Sequence, residues 1–266
     1  MRVKVRHSTE YHYGQAVSRG LQKIRLTPKH SGGQEVLSWR TEIEGGRKEV
    51  AYTDQHNNLV ELLSIEPGSR TVTILCEGEV DTSDTAGVIG QHGGFAPLWY
   101  FQRATPQTRP GPRVRQLVRD LGKDFDDDPS RLHALSALIL KTVGYETGTT
   151  DFSTTAEQAI ETGRGVCQDH AHIMIAAARL MGYPARYVSG YLVMDDRVDQ
   201  DAGHAWAEVH VEGLGWVGFD VSNGVSPDPR YVRVATGLDY GEAAPISGIV
   251  YGGRNESMVV QLQVQQ

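Results

Sequence analysis

The stretch Gly163–Tyr191, GRGVCQDHAHIMIAAARLMGYPARYVSGY, constrains this chain most. A Gly-Arg-Gly turn leads into Cys167, and an alanine-rich run follows. The middle of that run, Ile173 to Ala178, is apolar nearly all round, and a helix without a polar face must be buried on most sides. The spacing predicts a helix from about Val166 to Met181. Gly182 suits the left-handed residue beyond a helix end, and Pro184 cannot continue a helix. Extended segments are expected at 185–193, 204–211 and 216–221, the last two joined by a tight turn at Glu212 to Gly215. A fold built on this pattern has a buried helix headed by a cysteine, followed by a hairpin.

The hairpin carries the residues that could work with that cysteine. A cysteine is a nucleophile as its thiolate, and a thiol with a pKa of about 8.5 is mostly protonated at neutral pH. A helix start favours negative charge, through its free N–H groups and its dipole. His204 opens the first hairpin strand after a glycine-containing loop, and Asp220 ends the second. If Gly213-Leu214 centres the turn, Trp206 or Ala207 lies opposite Asp220, and His204 shares a face with Trp206. Asp220 is then a diagonal cross-strand neighbour of His204, within side-chain reach. Cys167, His204 and Asp220 are therefore the candidate catalytic residues.

Two other readings compete for the same residues. In one, Cys167 is a core cysteine, His204 a strand histidine with its bonds satisfied, and Asp220 a turn residue. In the other, Cys167, His170 and His172, with Asp169 between them, bind a metal. On a helix Cys167 and His172 are about 140° apart around the axis, so they do not chelate one ion comfortably. No CxxC or HExxH pattern is present. No metal and no cofactor are expected. His172 reads as a helix-packing residue with a buried hydrogen bond, and Asp169 as an early-helix carboxylate that suits the dipole.

Residues 1–82 have a different rhythm. Short alternating runs are separated by turn residues such as Gly45-Gly46, His56-Asn57-Asn58 and Pro67-Gly68. That pattern predicts an antiparallel β-sandwich or barrel. His7, His12, His30 and His56 are scattered there, and surface or strand positions account for them better than metal ligation does. Residues 83–112 are rich in Gly and Pro and read as a connecting segment. Its aromatic group, Trp99-Tyr100-Phe101, should serve as an inter-domain plug or a wall of the substrate cleft. Residues 113–266 read as one catalytic unit. It begins with helices at 113–121 and from Asp128, with Asp128 as N-cap and Pro129 at N1, and it ends in closing strands. A short helix at 155–161 precedes the cysteine segment. The loop 195–203, acidic and nearly without apolar residues, is expected to form a mobile rim of the cleft.

Composition narrows the class of function. The chain is 39% hydrophobic and 22% charged, which suits a globular protein with a substantial core. A formal net charge of −7 gives no reason to expect a nucleic-acid partner. No apolar run approaches the roughly 18–20 residues of a membrane span, so no membrane partner is expected. The N-terminus lacks the apolar core of a secretory signal, which makes a reducing cytoplasm the expected location. Two cysteines, Cys76 and Cys167, are too few for a disulfide framework. Cys76 lies in a strand-like run and reads as a buried, inert thiol. Oligomeric state has no signal in the sequence.

GRGVCQDHAHIMIAAARLMGYPARYVSGYL followed by DAGHAWAEVHVEGLGWVGFDVSNG resembles the bacterial transglutaminase-like superfamily, a group provisionally described as cysteine proteases. MRVKVRHSTEYHY and VLSWRTEIEG are similar to the N-terminal domain that these bacterial proteins carry, and the tail YVRVATGLDYGEAAPISGIVYGG is also similar to the family's. The resemblance implies an α+β fold with a papain-like core, a central helix packed on an antiparallel sheet. It implies Cys167 as nucleophile, His204 as general base and acid, and Asp220 as the orienting carboxylate. Two positions depart from the family pattern. Gly203 stands where a serine is usual, and Asp220-Val221-Ser222-Asn223 stands for Asp-Pro-Thr-Asn. The expected activity is thiol-dependent acyl transfer on a peptide or protein amide, resolved by water as in a cysteine peptidase or amidase. The alternatives are resolution by an amine, giving an isopeptide bond, and an inactive peptide-binding scaffold.

Overall fold

Alternation of buried and exposed residues, the period-two pattern of a half-buried strand, shapes the first 82 residues of a computed structural model that describes residues 1–266. The strands are β1 (Arg2–His12), β2 (Val17–Ile24), β3 (Gln34–Glu44), β4 (Gly46–Thr53), β5 (Leu59–Ile65) and β6 (Thr71–Thr82). β1, β6 and β3 are neighbours in one antiparallel sheet, and β2, β5 and β4 in another. Tyr11, Val72, Ile74 and Cys76 from the first sheet share a buried cluster with Val17, Ile24, Leu63 and Ile65 from the second. Gly45 makes the turn between β3 and β4 with φ of 74°, and a Cβ there would lie 2.3 Å from the Thr71 carbonyl oxygen. Only glycine fits that turn without displacing β6.

The connecting segment contains β7 (Val88–Gly90) and a 3₁₀ turn at Leu98–Gln102. Phe101 is buried edge-on to Trp216, with ring centroids 5.1 Å apart, and also meets His56 of the N-terminal region at 5.8 Å. It thus plugs the space between the two halves of the molecule. Trp99 of the same aromatic group is 65% exposed.

The remaining elements are α1 (Pro112–Leu121), α2 (Asp128–Thr142), β8 (Gly144–Tyr145), α3 (Ala156–Thr162), β9 (Arg164–Gly165), α4 (Cys167–Leu180), β10 (Ala185–Leu192), β11 (Asp199–Gln200), β12 (His204–Val211), β13 (Gly215–Phe219), β14 (Tyr231–Gly237), α5 (Tyr240–Ala243), β15 (Ile246–Gly252) and β16 (Ser257–Gln265). Strand accounts for 42% of residues and helix for 21%, so the fold is mixed and sheet-rich. The central antiparallel sheet runs β14-β10-β12-β13-β7. Every residue of α4 from Asp169 to Arg179 is buried, and its apolar side chains join those of α1, α2, α3 and the sheet in the largest core cluster. Arg179 near its end is a buried cation. Its guanidinium donates to the carbonyls of Phe101, Ala185 and Leu238 and to Thr108 Oγ1, and burial lowers its pKa to about 10. These bonds tie the end of the helix to three other segments. The N-cap of α2 is Asp127, not Asp128. The Asp127 carboxylate accepts from the Ser130 N–H at 2.7 Å, so Asp128 and Pro129 both fall inside the first turn.

Of the two segments expected as added or closing strands, Tyr231 to Val234 lies in β14 at the edge of the central sheet, while Met258 to Val264 lies in β16, which pairs elsewhere, as does β15. β15 lies beside β2, and β16 lies beside β1 from Lys4↔Gln265 to His12↔Ser257. β11, within the loop 195–203, adds to the outer edge of β16. That loop is therefore stitched to the N-terminal sheet, where the sequence suggested a mobile rim. The buried face of β1 now meets three environments in turn. Val3 and Val5 pack on the main core, His7 and Thr9 face a cleft, and Tyr11 joins the cluster between the two N-terminal sheets.

Candidate active site

Cys167 is the first residue of α4, where the backbone N–H groups of an opening turn have no partner within the helix. The approach is shaped by Gly163, the left-handed residue ending α3 with φ of 66°, and by β9, which pairs in parallel with β8. Asp169 then reaches back along the first turn. Its Oδ2 accepts from the Val166 N–H at 2.8 Å and from Thr150 Oγ1 at 2.7 Å. A Cβ on Gly165 would sit 2.8 Å from the Asp169 side chain, so this cap needs a glycine two residues before the cysteine. Burial raises the Asp169 pKa against these hydrogen bonds.

His204 begins β12, opposite Gly190 of β10. Gly190 leaves room there, because a Cβ would approach the Trp206 ring to 2.6 Å and the Val232 carbonyl oxygen to 2.2 Å. Gly203 has a similar reason for lacking a side chain, since its Cβ would lie 3.0 Å from the Gly190 carbonyl oxygen. In the β12–β13 hairpin Ala207 faces Phe219, so continuing the register puts Trp206 opposite Asp220. The diagonal relation expected between His204 and Asp220 is present. His204 Nε2 and Asp220 Oδ2 are 2.6 Å apart. The carboxylate can only accept, so the ring Nε2–H donates to it and Nδ1 is the nitrogen left unengaged by Asp220.

Asp220 is fully buried and more heavily bonded than the sequence suggested. Its Oδ2 also accepts from Tyr231 Oη at 2.7 Å and from Asn223 Nδ2 at 2.7 Å, and its Oδ1 accepts from the Asn223 N–H at 3.3 Å. Burial alone would raise the Asp220 pKa, but the bonds from His204, Asn223 and Tyr231 hold it below the usual carboxylate value. Burial likewise disfavours a charged His204 ring. The Asp220 carboxylate and then the Cys167 sulfur outweigh it, and the His204 pKa is raised to about 10. The His204 ring is flanked by Trp206 at 6.2 Å and Tyr231 at 5.9 Å between centroids.

Cys167 and His204 line one cleft of about 370 Å³, together with Gly203, Gln168 and Tyr187. Asp220 lies behind His204, out of the cleft. The residues that competed with Cys167 for a metal face other partners. His170 bonds Ser222 Oγ and the Val143 carbonyl, both at 2.9 Å, and burial lowers its pKa. His172 is buried and accepts from the Tyr240 N–H at 3.1 Å, with its pKa pushed down to about 3 by desolvation. Sequence reasoning did not assign roles to Tyr231 or Asn223, although Asn223 ends the motif after Asp220. It also left His7 as an ordinary strand histidine. His7 is in a strand, but it is buried in the cleft wall. Its Nδ1 is 2.9 Å from Tyr191 Oη and its Nε2 is 3.2 Å from Thr9 Oγ1. No local signal marks such a residue, because the strand that places it there comes from the far end of the fold.

The fold and its two regions have known counterparts. Residues 115–221 match the transglutaminase-like superfamily core, and residues 3–81 match the bacterial transglutaminase-like N-terminal region. An uncharacterized protein of Mycobacterium tuberculosis is 30% identical over 285 residues, spanning 97% of this chain and 90% of its own length. A Mycobacterium leprae protein is 28% identical over 266 residues, spanning 95% and 94%. The fold is also that of a solved Cytophaga hutchinsonii structure provisionally described as a cysteine protease, with a TM-score of 0.79 at 23% identity, covering 100% of this chain and 90% of the other. The chain belongs to the transglutaminase-like superfamily.

Proposed function

We propose that this protein is a cysteine peptidase or amidase that transfers the acyl group of an amide to Cys167 and then to water. The observation that carries the reading is the His204–Asp220 contact of 2.6 Å, with His204 sharing a cleft with a cysteine at a helix start. In the first half-reaction the Cys167 thiolate attacks the amide carbonyl carbon. The developing oxyanion is stabilised by the Cys167 backbone N–H, at the positive end of α4. His204 gives its Nδ1 proton to the leaving nitrogen, the C–N bond breaks and a thioester remains. In the second half-reaction a water attacks the thioester and passes its proton to His204, the C–S bond breaks, and the free acid leaves with Cys167 restored. Asp220 does not change protonation. It fixes which ring nitrogen faces Cys167 and stabilises the imidazolium between the two steps.

Water is the acceptor in this reading because it needs no second binding site. Amine transfer uses the same first half-reaction and differs in the group that attacks the thioester. The test is to trap the acyl-enzyme with glutamine-, peptide- and simple-amide substrates, with and without a primary amine, and to follow the adduct by intact-mass spectrometry. The expected result is a covalent adduct on Cys167 that decays to free acid at a rate the amine does not change. A rate and product that follow amine concentration would replace hydrolysis by transfer. No adduct with any substrate would remove the catalytic reading and leave a binding module.

A further inference from the structure

The cleft over Cys167 is enclosed from both halves of the molecule. α4, β10 and β12 supply the floor with Cys167 and His204. The N-terminal sheet supplies the opposing wall with Thr9 and Tyr11 of β1 and Met258 and Val260 of β16. None of the side chains lining it is an aspartate, glutamate, lysine or arginine, and most are apolar. The chain itself is rich in charge, with 26 basic and 33 acidic residues, so a neutral lining is a local property. Outside the reacting pair, the only titratable histidine in the lining is His7. It is kept uncharged by burial, with its pKa lowered to about 4 and both ring nitrogens within hydrogen-bond distance of Tyr191 and Thr9.

A charged side chain entering such a cleft loses hydration and, outside the reacting Cys167–His204 pair, finds no counter-ion. The cost of burying an unpaired charge exceeds that of an uncharged polar group of the same shape. An apolar or amide side chain has no comparable loss, and aromatic walls add contact area. We propose that the substrate presents an uncharged side chain to this cleft beside the scissile amide, and that the N-terminal sheet, through β1 and β16, selects it. This rests on the acyl-transfer reading for the word substrate, but the selectivity is a binding property and is measurable without turnover. It gives the N-terminal region a specific task in the chemistry: it supplies a wall whose lack of charge excludes acidic and basic residues.

The experiment uses full-length Cys167→Ala protein, with Cys167→Ser as a second background, titrated calorimetrically with short capped peptide amides. Glutamine against glutamate compares two side chains of one shape that differ in charge, and methionine against lysine compares two unbranched chains. The uncharged member of each pair is expected to bind about ten- to a hundredfold more tightly. Met258 is 55% exposed at the rim, so Met258→Glu should fold normally and raise the affinity of the lysine peptide relative to methionine by about three- to tenfold. Equal binding within each pair, preference for a charged member, or no binding of any peptide overturns the proposal. An unchanged lysine-to-methionine ratio in Met258→Glu overturns the role of the N-terminal wall. Iodoacetamide, which carries no selective side chain, reports separately on the thiol. If wild-type Cys167 reacts no faster than an ordinary thiol while the peptide preference holds, the acyl-transfer reading fails and the selectivity stands.

Discussion

The molecule holds the same side chain in two settings. Cys76 sits inside the N-terminal sheets, wholly buried, with Thr41 Oγ1 3.5 Å from its sulfur. Burial pushes its pKa up to about 12, so the thiolate is scarce at any physiological pH. Cys167 is half-buried at a helix start and opens on a cleft with His204. A strand presents a cysteine to a packed interior and surrounds it with saturated backbone hydrogen bonds. A helix start presents it to free N–H groups and leaves room for a second element to bring up a base. The backbone position, more than the residue, separates an inert thiol from a candidate nucleophile.

The largest effect expected from this contrast is at Cys167 itself. Cys167→Ala should abolish both thioester formation and the fast component of iodoacetamide labelling. Cys76→Ala should leave that component intact, and fast labelling of Cys76 in the native state would break the comparison. Next is Asp220→Asn, which exchanges a charged acceptor for an amide and should reduce turnover by about a hundred- to ten-thousandfold while circular dichroism shows a folded protein. A smaller effect is expected from Tyr231→Phe, which removes one of the donors on Asp220 Oδ2. Turnover should fall about tenfold, equivalent to a hydrogen bond to a charged group, with little change in KM. Full activity there would mean that His204 and Asn223 suffice to hold the carboxylate. The smallest is Cys76→Ala, expected to lower unfolding stability by about 1 kcal/mol in urea titrations with kcat unchanged.

The charge state of the pair sharpens the same contrast through pH. His204 has a folded-state pKa raised above its unfolded value of about 6.5. Its contribution to stability is therefore fully present below about pH 6.5 and is lost as pH rises through about 10. Asp220 has the opposite sign. Its lowered pKa stabilises the fold above the unfolded carboxylate pKa, and that contribution is lost as pH falls through the folded value. The stability difference between wild type and His204→Gln should thus shrink from pH 6.5 toward pH 10. A difference constant over that window would mean that the ring is not held as an imidazolium.

Local patterns exposed most of the floor of the site and little of its wall. The α4 helix, its end at Gly182 and the β12–β13 hairpin follow from short-range periodicity and turn residues, and the relation of His204 to Asp220 follows from counting across a turn. The α2 cap was displaced by one residue because two successive aspartates offer the same side chain and only geometry selects Asp127. The pairing of β16 with β1 joins residues more than 240 positions apart, as in Tyr11↔Met258, and alternation identifies a strand without naming its partner. His7, Thr9 and Tyr11 could not be assigned to the cleft for that reason. Tyr231 was visible only as the start of a strand, and its bond to Asp220 depends on the path of the chain after Val225.

The union of β1 with β16 also sets an order of events in time. β16 follows β1 along the chain by more than two hundred residues, so β1 must wait with one edge unpaired while those residues are made. α4, β10 and β12 all emerge during that wait. Cys167 and His204 can therefore meet before the wall opposite them exists, and the enclosure over Cys167 waits for a strand made after both of them. Contacts of such long separation carry a large loop-closure entropy, which must be overcome before this side of the cleft exists.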